Sequence, residues 1–391
     1  MPEDSHKAEL LEQAKAHLFR SSKDFGEPII AHGRGATVVD TDEKEYFDFG
    51  SGQMAASIGH NHPAITEALR RSSDRILHLN TNFVSEEVVG LMQGYHGHTG
   101  GAMSVTFSNR RGGYGPWVPG GIAIPTPYCY RCPLNLTFPS CDYACARLGF
   151  DMVEAQSTGS LAAFIAEPIL SAAGILEPPP GYFPLVKQMC EERGMLFILD
   201  EAQTGMGRVG ATFAFEQDDF VPDILALSKT LGAGLPLSAM ITSKEIEETC
   251  HDKGMAFISS HQNDPFAAAV GLAVIEVLVT EGLADEARAK GQYLKDAYMS
   301  MKEDHPIIGD VRGRGLLLGM ELVKDPETKE PAGEETQKLT KKCLENGLIL
   351  QQASYASSAN VWRIAPPMTA TYEELDRGVE ILDRSMTELG M

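Results

Sequence analysis

The sequence predicts an α/β protein, with a mostly parallel sheet in a large domain and a second, smaller α+β domain. Over residues 164–242, short apolar runs alternate with helical segments, which is typical of strands buried on both faces of a parallel sheet. Two of these runs stop at a charged residue, Asp200 and Lys229, and continue into glycines. Because sites in open α/β sheets collect at the carboxyl ends of the strands, we expect these two side chains to project towards one crevice.

The first 120 residues divide into a few predicted segments. Apolar residues recur with helical spacing over 7–20, and short β-favouring runs between turn residues predict a β meander over 29–49. A helix follows over 63–75, where Pro63 suits the first helical turn. Residues 80–120 are rich in glycine and show no clear helix or strand period.

The large domain continues with βαβ segments. We predict a helix over 181–194 and strands at 164–166, 195–200, 222–228 and 237–242. A long apolar helix from Pro265 to Val279 leads out of this domain. The C-terminal part has a different pattern, with helices at 282–302, 333–346 and 372–388, a strand pair at 311–323, a strand at 347–351 and a strand that ends at Arg363.

These patterns predict two domains built from three stretches of chain. Residues 51–279 form the large domain. Residues 1–50 contribute the N-terminal part of the small domain, and residues 280–391 contribute its C-terminal part.

Composition and charge narrow the possible partners. The 391 residues carry a formal net charge of −21 at pH 7, and 43% of them are hydrophobic. An acidic chain lacks the basic face that phosphate backbones require, which excludes nucleic acid as a partner class. No apolar run reaches the roughly 18 residues of a membrane helix, and the N terminus has no apolar signal region. We therefore predict a cytoplasmic protein with reduced thiols.

Four of the seven cysteines lie close together in the sequence, at Cys129, Cys132, Cys141 and Cys145. The spacing of the first pair is typical of metal ligands, so a zinc site or a small iron–sulfur site is one interpretation. The alternative is a loop with free thiols in a reducing compartment.

Asp200 and Lys229 bring an acid and an amine to neighbouring strand ends. A lysine in an apolar site has a lowered pKa and can form a Schiff base. A carboxylate nearby can keep a pyridine nitrogen protonated, and pyridoxal phosphate (PLP) chemistry uses both groups. Gln203, three residues after Asp200, is spaced to hydrogen-bond the ring oxygen of such a cofactor. The alternative from the pattern alone is an Asp–Lys salt bridge that only closes the sheet.

Two motifs resemble the class III (subgroup II) aminotransferases, namely LDEAQTGMGR at 199–208 and PDILALSKTLGAGLP at 222–236. Further stretches are similar, within that family, to 2,2-dialkylglycine decarboxylases: DFGSGQM at 48–54, AEPILS at 166–171, VRGRGLLLG at 311–319 and RIAPP at 363–367. The resemblance implies the PLP-dependent transferase fold of type I, which is aspartate aminotransferase-like. It also implies PLP as cofactor, an amino acid and a 2-oxo acid as small-molecule partners, and a homodimer or homotetramer.

The resemblance assigns roles to the strand-end residues and to one arginine. It implies that Lys229 binds the cofactor and carries protons, that Asp200 faces the ring nitrogen, and that Gln203 binds the ring oxygen. Arg363 is implied to bind the substrate carboxylate, which suits a bidentate guanidinium. The alternative for Arg363 is a structural ion pair at the end of a strand.

Other implied site residues come from the remaining motifs. Gln53 matches the residue that holds the leaving carboxylate and so selects the bond that breaks, and Met54 and Ser171 are implied to line the same pocket. Tyr95 stands where the family has an aromatic ring stacked on PLP and keeps a π-face, and His96 follows it.

Ser260 is implied to reach the cofactor phosphate of the neighbouring subunit. The same loop matches an alkali-cation site of the decarboxylases, for which oxygen ligands suit K⁺ or Na⁺. The matching positions are Leu79, Thr81, Ser260, Gln262 and Asp264. Asp264 precedes Pro265, so a plain helix N-cap is the alternative for this residue.

The resemblance breaks between about residues 90 and 94, where family members have a βα(β) unit on the order of 30 to 40 residues. In the family, that unit carries the loop whose N–H groups and helix dipole hold the PLP phosphate. Either the sequence is a splice or gene-model product that lacks a segment, or it is a divergent natural protein.

Three hypotheses for function follow. The first is PLP-dependent decarboxylation-coupled transamination of 2,2-dialkylglycines such as 2-aminoisobutyrate, with pyruvate as amino acceptor. The second is a class III transaminase of an ω-amino or α-amino acid. The third is a non-catalytic homologue with impaired PLP binding, motivated by the missing segment.

Overall fold

The computed structural model describes residues 3–17, 29–34, 37–43, 45–47, 102, 120–232, 236–255, 265–346, 348, 350–353, 358–366, 368 and 370–391. The chain forms two compact units. The first comprises residues 1–79, 233–235 and 242–270, and the second comprises residues 80–232, 236–241 and 271–391. The helix predicted over 63–75 lies outside the described residues.

The helices are α1 (Glu3–His17), α2 (Ala144–Gln156), α3 (Tyr182–Glu191), α4 (Lys244–Asp252), α5 (Pro265–Thr280), α6 (Leu283–Asp304), α7 (Gly333–Glu345) and α8 (Tyr372–Leu389). The strands are β1 (Ile30–Arg34), β2 (Thr37–Asp40), β3 (Glu45–Phe47), β4 (Ala163–Ala166), β5 (Leu196–Asp200), β6 (Ile224–Leu227), β7 (Ala239–Thr242), β8 (Ile308–Arg314), β9 (Leu317–Leu322), β10 (Gln351–Gln352) and β11 (Val361–Ile364).

The first unit holds a small antiparallel sheet in the order β1-β2-β3, as the meander pattern predicts. The turn between β2 and β3 includes Glu43 in the left-handed conformation, with φ 59°. Lys7 of α1 forms an ion pair with Asp42 in this turn at 2.5 Å. In α4, the N-cap Ser243 accepts the N–H of Ile246 at 3.3 Å, which satisfies one of the free donors of the first turn.

The second unit contains the predicted sheet, in the order β4-β5-β6-β7, with β4–β5 and β5–β6 parallel. On one face of β5, Phe197 and Leu199 are fully buried. Phe197 packs against Phe183 of α3, with the ring centroids 6.1 Å apart. Because parallel strands point the same way, β4, β5 and β6 end at one edge of the sheet. Asp200 ends β5 at this edge, and Lys229 follows β6.

A second, antiparallel sheet in this unit has the order β10-β11-β9-β8. Every residue of β9 and β11 is buried. Trp362 of β11 is fully buried and donates its indole N–H to Thr340 Oγ1 of α7 at 2.8 Å. Helix α6 packs on β8, and α8 packs on α6 and α7. The capping box of Thr371 and Glu374 begins α8, and Gly390, with φ 67°, ends it.

The fold class predicted from the sequence is confirmed, since the described residues form an α/β structure with a parallel sheet. The predicted helices and strands recur with boundaries shifted by a few residues. Of the strand predicted at 347–351, residues 347 and 349 lie outside the described residues, and the described pairing with β11 covers Gln351 and Gln352. The division into domains at residues 50 and 279 stays a prediction. Within the described ranges, no helix is both long and apolar enough to cross a membrane.

Candidate active site

Asp200 ends β5, and Lys229 follows the neighbouring parallel strand β6. Asp200 pairs with Ala226 of β6, so Lys229 comes shortly after the residue beside Asp200. Lys229 adopts the left-handed conformation, with φ 51°, which costs a non-glycine residue about 1–2 kcal/mol. It begins a 3₁₀ turn over Lys229–Gly232. Backbone strain of this kind is concentrated at functional sites.

The Lys229 amine lies among other charges. Loss of hydration among the surrounding protein atoms lowers its pKa, and the positive charge of Arg363 acts in the same direction. The negative charges of Asp200 and Glu167 oppose this change, and the net direction is downward. The residue is nevertheless exposed to solvent, as a side chain in an open cleft would be. Lys229 is thus both easier to deprotonate and accessible, as a nucleophilic lysine must be.

Glu167 is a second carboxylate at this edge, and the sequence motifs did not predict it as a site residue. It follows directly after β4, whose last residue Ala166 pairs with Leu199 of β5. Burial and the negative charge of Asp200 raise the pKa of Glu167 to about 7. The N–H that Ser171 donates to Glu167 Oε2 at 3.2 Å acts in the opposite direction. The sequence signal was present, because Glu167 ends an apolar run in the same way as Asp200 does.

Gln203 lies in the turn after β5, close to the strand ends. Its Oε1 accepts a hydrogen bond from the hydroxyl of Ser171 at 2.9 Å. Its Nε2 is buried and has no hydrogen-bond partner among the described residues. Asp200 Oδ1 accepts the N–H of Ala202 at 3.0 Å, which fixes the carboxylate at the start of the same turn. A buried N–H donor without a partner is costly, so this amide is prepared for an acceptor that the described residues do not supply.

Glu201 has a structural role, although it adjoins Asp200. Its carboxylate accepts the N–H of Ala214 at 2.8 Å, the N–H of Phe215 at 3.1 Å and the hydroxyl of Thr204 at 3.0 Å. These bonds tie the loop after β5 to the following 3₁₀ turn. The two adjacent carboxylates therefore have different roles, because Glu201 holds the loop together and Asp200 lies at the edge of the sheet.

Arg363 lies in the middle of the buried strand β11, with 7% of its surface exposed. It pairs with Gly319 of β9 and Gln351 of β10. Its positive charge acts on the strand-end cluster, by which we mean Asp200, Lys229, Glu167 and Gln203, since it lowers the pKa values of Lys229 and Glu167. The structure thus brings Arg363 near the predicted cofactor-binding residues, and its role as a carboxylate clamp stays a prediction.

The other predicted site residues lie outside the described residues. They are Gln53, Met54, Tyr95, His96 and Ser260 for the cofactor and substrate, and Leu79, Thr81, Ser260, Gln262 and Asp264 for the alkali cation. Their roles stay predictions. Ser171 is described, and its hydroxyl bonds Gln203, as given above.

The four clustered cysteines, Cys129, Cys132, Cys141 and Cys145, line one small pocket together with apolar and aromatic side chains. All four are free thiols. Burial, with a smaller effect of the neighbouring thiols, raises the pKa values of Cys129 and Cys145. Across the described ranges, no group of three or more His, Cys, Asp or Glu residues is arranged to hold a metal ion. The geometry of this loop therefore lends no support to a zinc or iron–sulfur site.

Comparison with solved structures defines the class of protein. The fold matches a Bacillus anthracis aminotransferase with a TM-score of 0.70 and 27% identity, covering 99% of this chain and 100% of that one. It also matches an (S)-enantioselective omega-transaminase from Thermomicrobium roseum with a TM-score of 0.68 and 27% identity, covering 98% of both chains. The fold is that of the PLP-dependent transferases of type I.

The family follows from the sequence comparisons. The model for class III aminotransferases matches residues 22–93 and 84–386. An uncharacterized aminotransferase of Schizosaccharomyces pombe is 39% identical, covering 96% of this chain and 94% of that protein. A leucine/methionine racemase of Thermococcus litoralis is 32% identical, covering 98% and 96%. The chain belongs to the class III aminotransferases, a family whose typical cofactor is PLP.

Proposed function

We propose that this protein is a PLP-dependent transaminase that acts on an α-amino or ω-amino acid, with a 2-oxo acid as its second substrate. The observation that carries this proposal is the strand-end cluster. A carboxylate ends one parallel strand and a lysine of lowered pKa follows the adjacent one. In the turn after the first strand, Gln203 has a buried N–H that finds no acceptor among the described residues. Membership of the class III family supports the same chemistry.

The residues of the cluster fit PLP. Lys229 would bind the cofactor covalently and move the proton at the substrate Cα. Asp200 would hold the proton on the ring nitrogen, and Gln203 Nε2 would donate to the ring oxygen. Arg363 would bind the substrate carboxylate. When bound, PLP supplies the electron sink that makes the Cα proton acidic.

The relatives support the transaminase hypothesis better than the decarboxylation of 2,2-dialkylglycines. Those described above are aminotransferases and a racemase. Gln53 remains the residue that separates the two hypotheses. Its replacement should leave amino transfer nearly intact in a transaminase, but should abolish CO₂ release from 2-aminoisobutyrate in a decarboxylase.

Racemisation of an amino acid is a second candidate, favoured by the 32% identity to the leucine/methionine racemase. Transamination and racemisation both begin with removal of the Cα proton by a base such as Lys229. They differ in the carbon to which the proton returns. Incubation with L-leucine or L-methionine, with and without pyruvate, separates them: D-amino acid without pyruvate indicates racemisation, and alanine indicates amino transfer.

We also propose that the chain lacks a segment that its relatives have between about residues 90 and 94. Two observations support this. The comparison with the Schizosaccharomyces pombe protein spans 420 aligned residues, more than the 391 residues of this chain. The two family matches also overlap, since residues 84–93 belong to both. The loss would weaken PLP binding, because the family holds the phosphate with that segment. This shortening also keeps the non-catalytic homologue open as an alternative.

The test is an absorbance titration of the purified protein with PLP, followed by addition of amino acids. Protein-bound cofactor should absorb in the visible range. Reduction with borohydride should link PLP permanently to the protein, and mass spectrometry should then find the added mass on the peptide that contains Lys229. Lys229→Ala should abolish both signals. The exposed Lys244, which pairs with Glu248 in α4, offers a matched control in Lys244→Ala. Colourless protein at saturating PLP, with or without Lys229, would support the non-catalytic homologue.

A further inference from the structure

Ser171 connects two groups of the candidate active site. Its hydroxyl donates to Gln203 Oε1 at 2.9 Å, and its backbone N–H donates to Glu167 Oε2 at 3.2 Å. Only 1% of its surface is exposed. Its polar groups are therefore directed at other site residues and not at solvent.

The backbone that carries Ser171 forms a tight turn. Leu170 and Leu176 bridge its ends with two hydrogen bonds of 3.0 and 3.1 Å. The carbonyl of Ser171 accepts the N–H groups of Gly174 at 3.0 Å and Ile175 at 3.2 Å. Ile175 is fully buried and has φ 54°. A β-branched residue in this conformation is a genuine outlier, and such residues persist only where the surroundings hold them.

Arg312 of β8 holds this turn in place. Its Nε donates to the carbonyl of Ile175 at 2.9 Å, and its Nη2 donates to the carbonyl of Gly174 at 2.7 Å. Its Nη1 is bonded to Asp310 and Glu321, each at 2.7 Å. The guanidinium is thus bound at both ends, and Ser171 starts from a rigid frame.

We infer that Ser171 is a positioning residue that fixes the orientation of the Gln203 amide. An amide can present either its oxygen or its NH₂ group to the site. With Oε1 satisfied by the Ser171 hydroxyl, Nε2 is the group turned away from Ser171, and no described residue accepts a hydrogen bond from it. A PLP ring oxygen accepts hydrogen bonds, so only this orientation binds it. The inference rests on the proposed function and revises Ser171 from a substrate contact to a support of Gln203.

The experiment compares the binding of PLP with that of its analogue without the ring hydroxyl. Dissociation constants are measured for the full-length wild type, Ser171→Ala, Gln203→Ala and the double variant. We expect the wild type to prefer PLP, and Ser171→Ala to lower that preference about 3- to 10-fold, the effect of one hydrogen bond. Adding Ser171→Ala to Gln203→Ala should change nothing further. Ser171→Cys, similar in size but a weak donor, should be intermediate.

Two controls separate positioning from general damage. Ser157→Ala removes a hydroxyl that hydrogen-bonds the nearby backbone, namely the carbonyl of Glu154 and the N–H of Gly159. This variant should leave the preference for PLP over the analogue unchanged. Denaturation of the cofactor-free variants should show non-additive losses for Ser171→Ala and Gln203→Ala, because the two share one hydrogen bond. This readout requires no cofactor.

The outcomes distinguish the positioning role of Ser171 from the proposed function of the protein. If Ser171→Ala prefers PLP as strongly as the wild type does, or if the two substitutions act independently, the positioning role is wrong while the proposed function stands. If the wild type binds neither compound, the proposed function is refuted, and the positioning role is refuted with it, because no ring oxygen is there to be bound.

Discussion

Substituting the buried carboxylate Glu321 with glutamine should strongly destabilise the second unit. Glu321 is fully buried in β9 and accepts hydrogen bonds from Arg131 Nε and Arg312 Nη1, both at 2.7 Å. Tyr128 donates a further bond to it. Glutamine would remove the charge and turn an NH₂ group towards guanidinium donors. Breaking one side of a buried ion pair costs about 3–5 kcal/mol. Asp310, which also binds Arg312 at 2.7 Å, places the expected loss near the lower value.

The assay is urea unfolding followed by tryptophan fluorescence. Trp362 reports directly on this sheet, since its neighbour Val361 pairs with Glu321. A Trp117→Phe background removes the other tryptophan. A loss of about 3 kcal/mol is a large share of the roughly 5–15 kcal/mol by which a typical domain is stable against unfolding. The urea concentration at the unfolding midpoint should therefore fall clearly, while the dependence of the unfolding free energy on urea stays the same. The control is Glu330→Gln, in an exposed pair with Lys324, and its midpoint should not move. A Glu321→Gln midpoint equal to that of the control would refute the reasoning.

Two further predictions concern pH. The folded-state pKa of Glu167 is raised from 4.5 to about 7, so its contribution to stability is full below pH 4.5 and is lost as pH rises through 7. Glu167→Gln should therefore reduce the pH dependence of the unfolding midpoint between pH 4.5 and 7. A variant whose midpoint changes with pH as much as that of the wild type would contradict the raised pKa. Burial lowers the pKa of His305, but hydrogen bonds to the Met391 carbonyl and to Asp383, both at 2.7 Å, outweigh this effect and raise the pKa above 6.5. The stabilisation from His305 should therefore be present below pH 6.5 and fade above the raised value, and His305→Gln should remove that dependence while wild type retains it.

Much of the fold could be predicted because the strand and helix periods are strong. The apolar runs before Asp200 and Lys229 each form a short parallel strand, and the helix predicted over 372–388 matches α8 almost to the residue. Its capping box and terminal glycine are local signals that need no tertiary information. The placement of Asp200 and Lys229 at one edge of the sheet was likewise predictable, since parallel strands that point the same way must end together.

What the sequence did not reveal depends on long-range contacts. Ser171 and Gln203 are 32 residues apart, and their hydrogen bond arises only because their two strands are neighbours. Arg312 lies 138 residues from the turn that it holds. The VRGRG motif identified this arginine as part of a family stretch, but a motif alone does not state which carbonyl a guanidinium binds. Such contacts follow from tertiary packing, which pattern and spacing do not encode.

The charges at the strand ends also bear on what the site can bind. Two cations, Lys229 and Arg363, and two carboxylates, Asp200 and Glu167, meet there, and the charges of Asp200 and Arg363 act on the pKa values of Lys229 and Glu167. Like charges in a poorly hydrated site oppose each other, and for this reason Asp200 raises the pKa of Glu167. When Glu167 is protonated and both cations are charged, one carboxylate faces two positive groups, and the cluster has a surplus of positive charge. That surplus favours an anionic ligand, as the carboxylate of an amino acid or the phosphate of PLP would be. As pH rises through 7, Glu167 ionises and the surplus shrinks, so we expect the attraction of the site for anions to weaken.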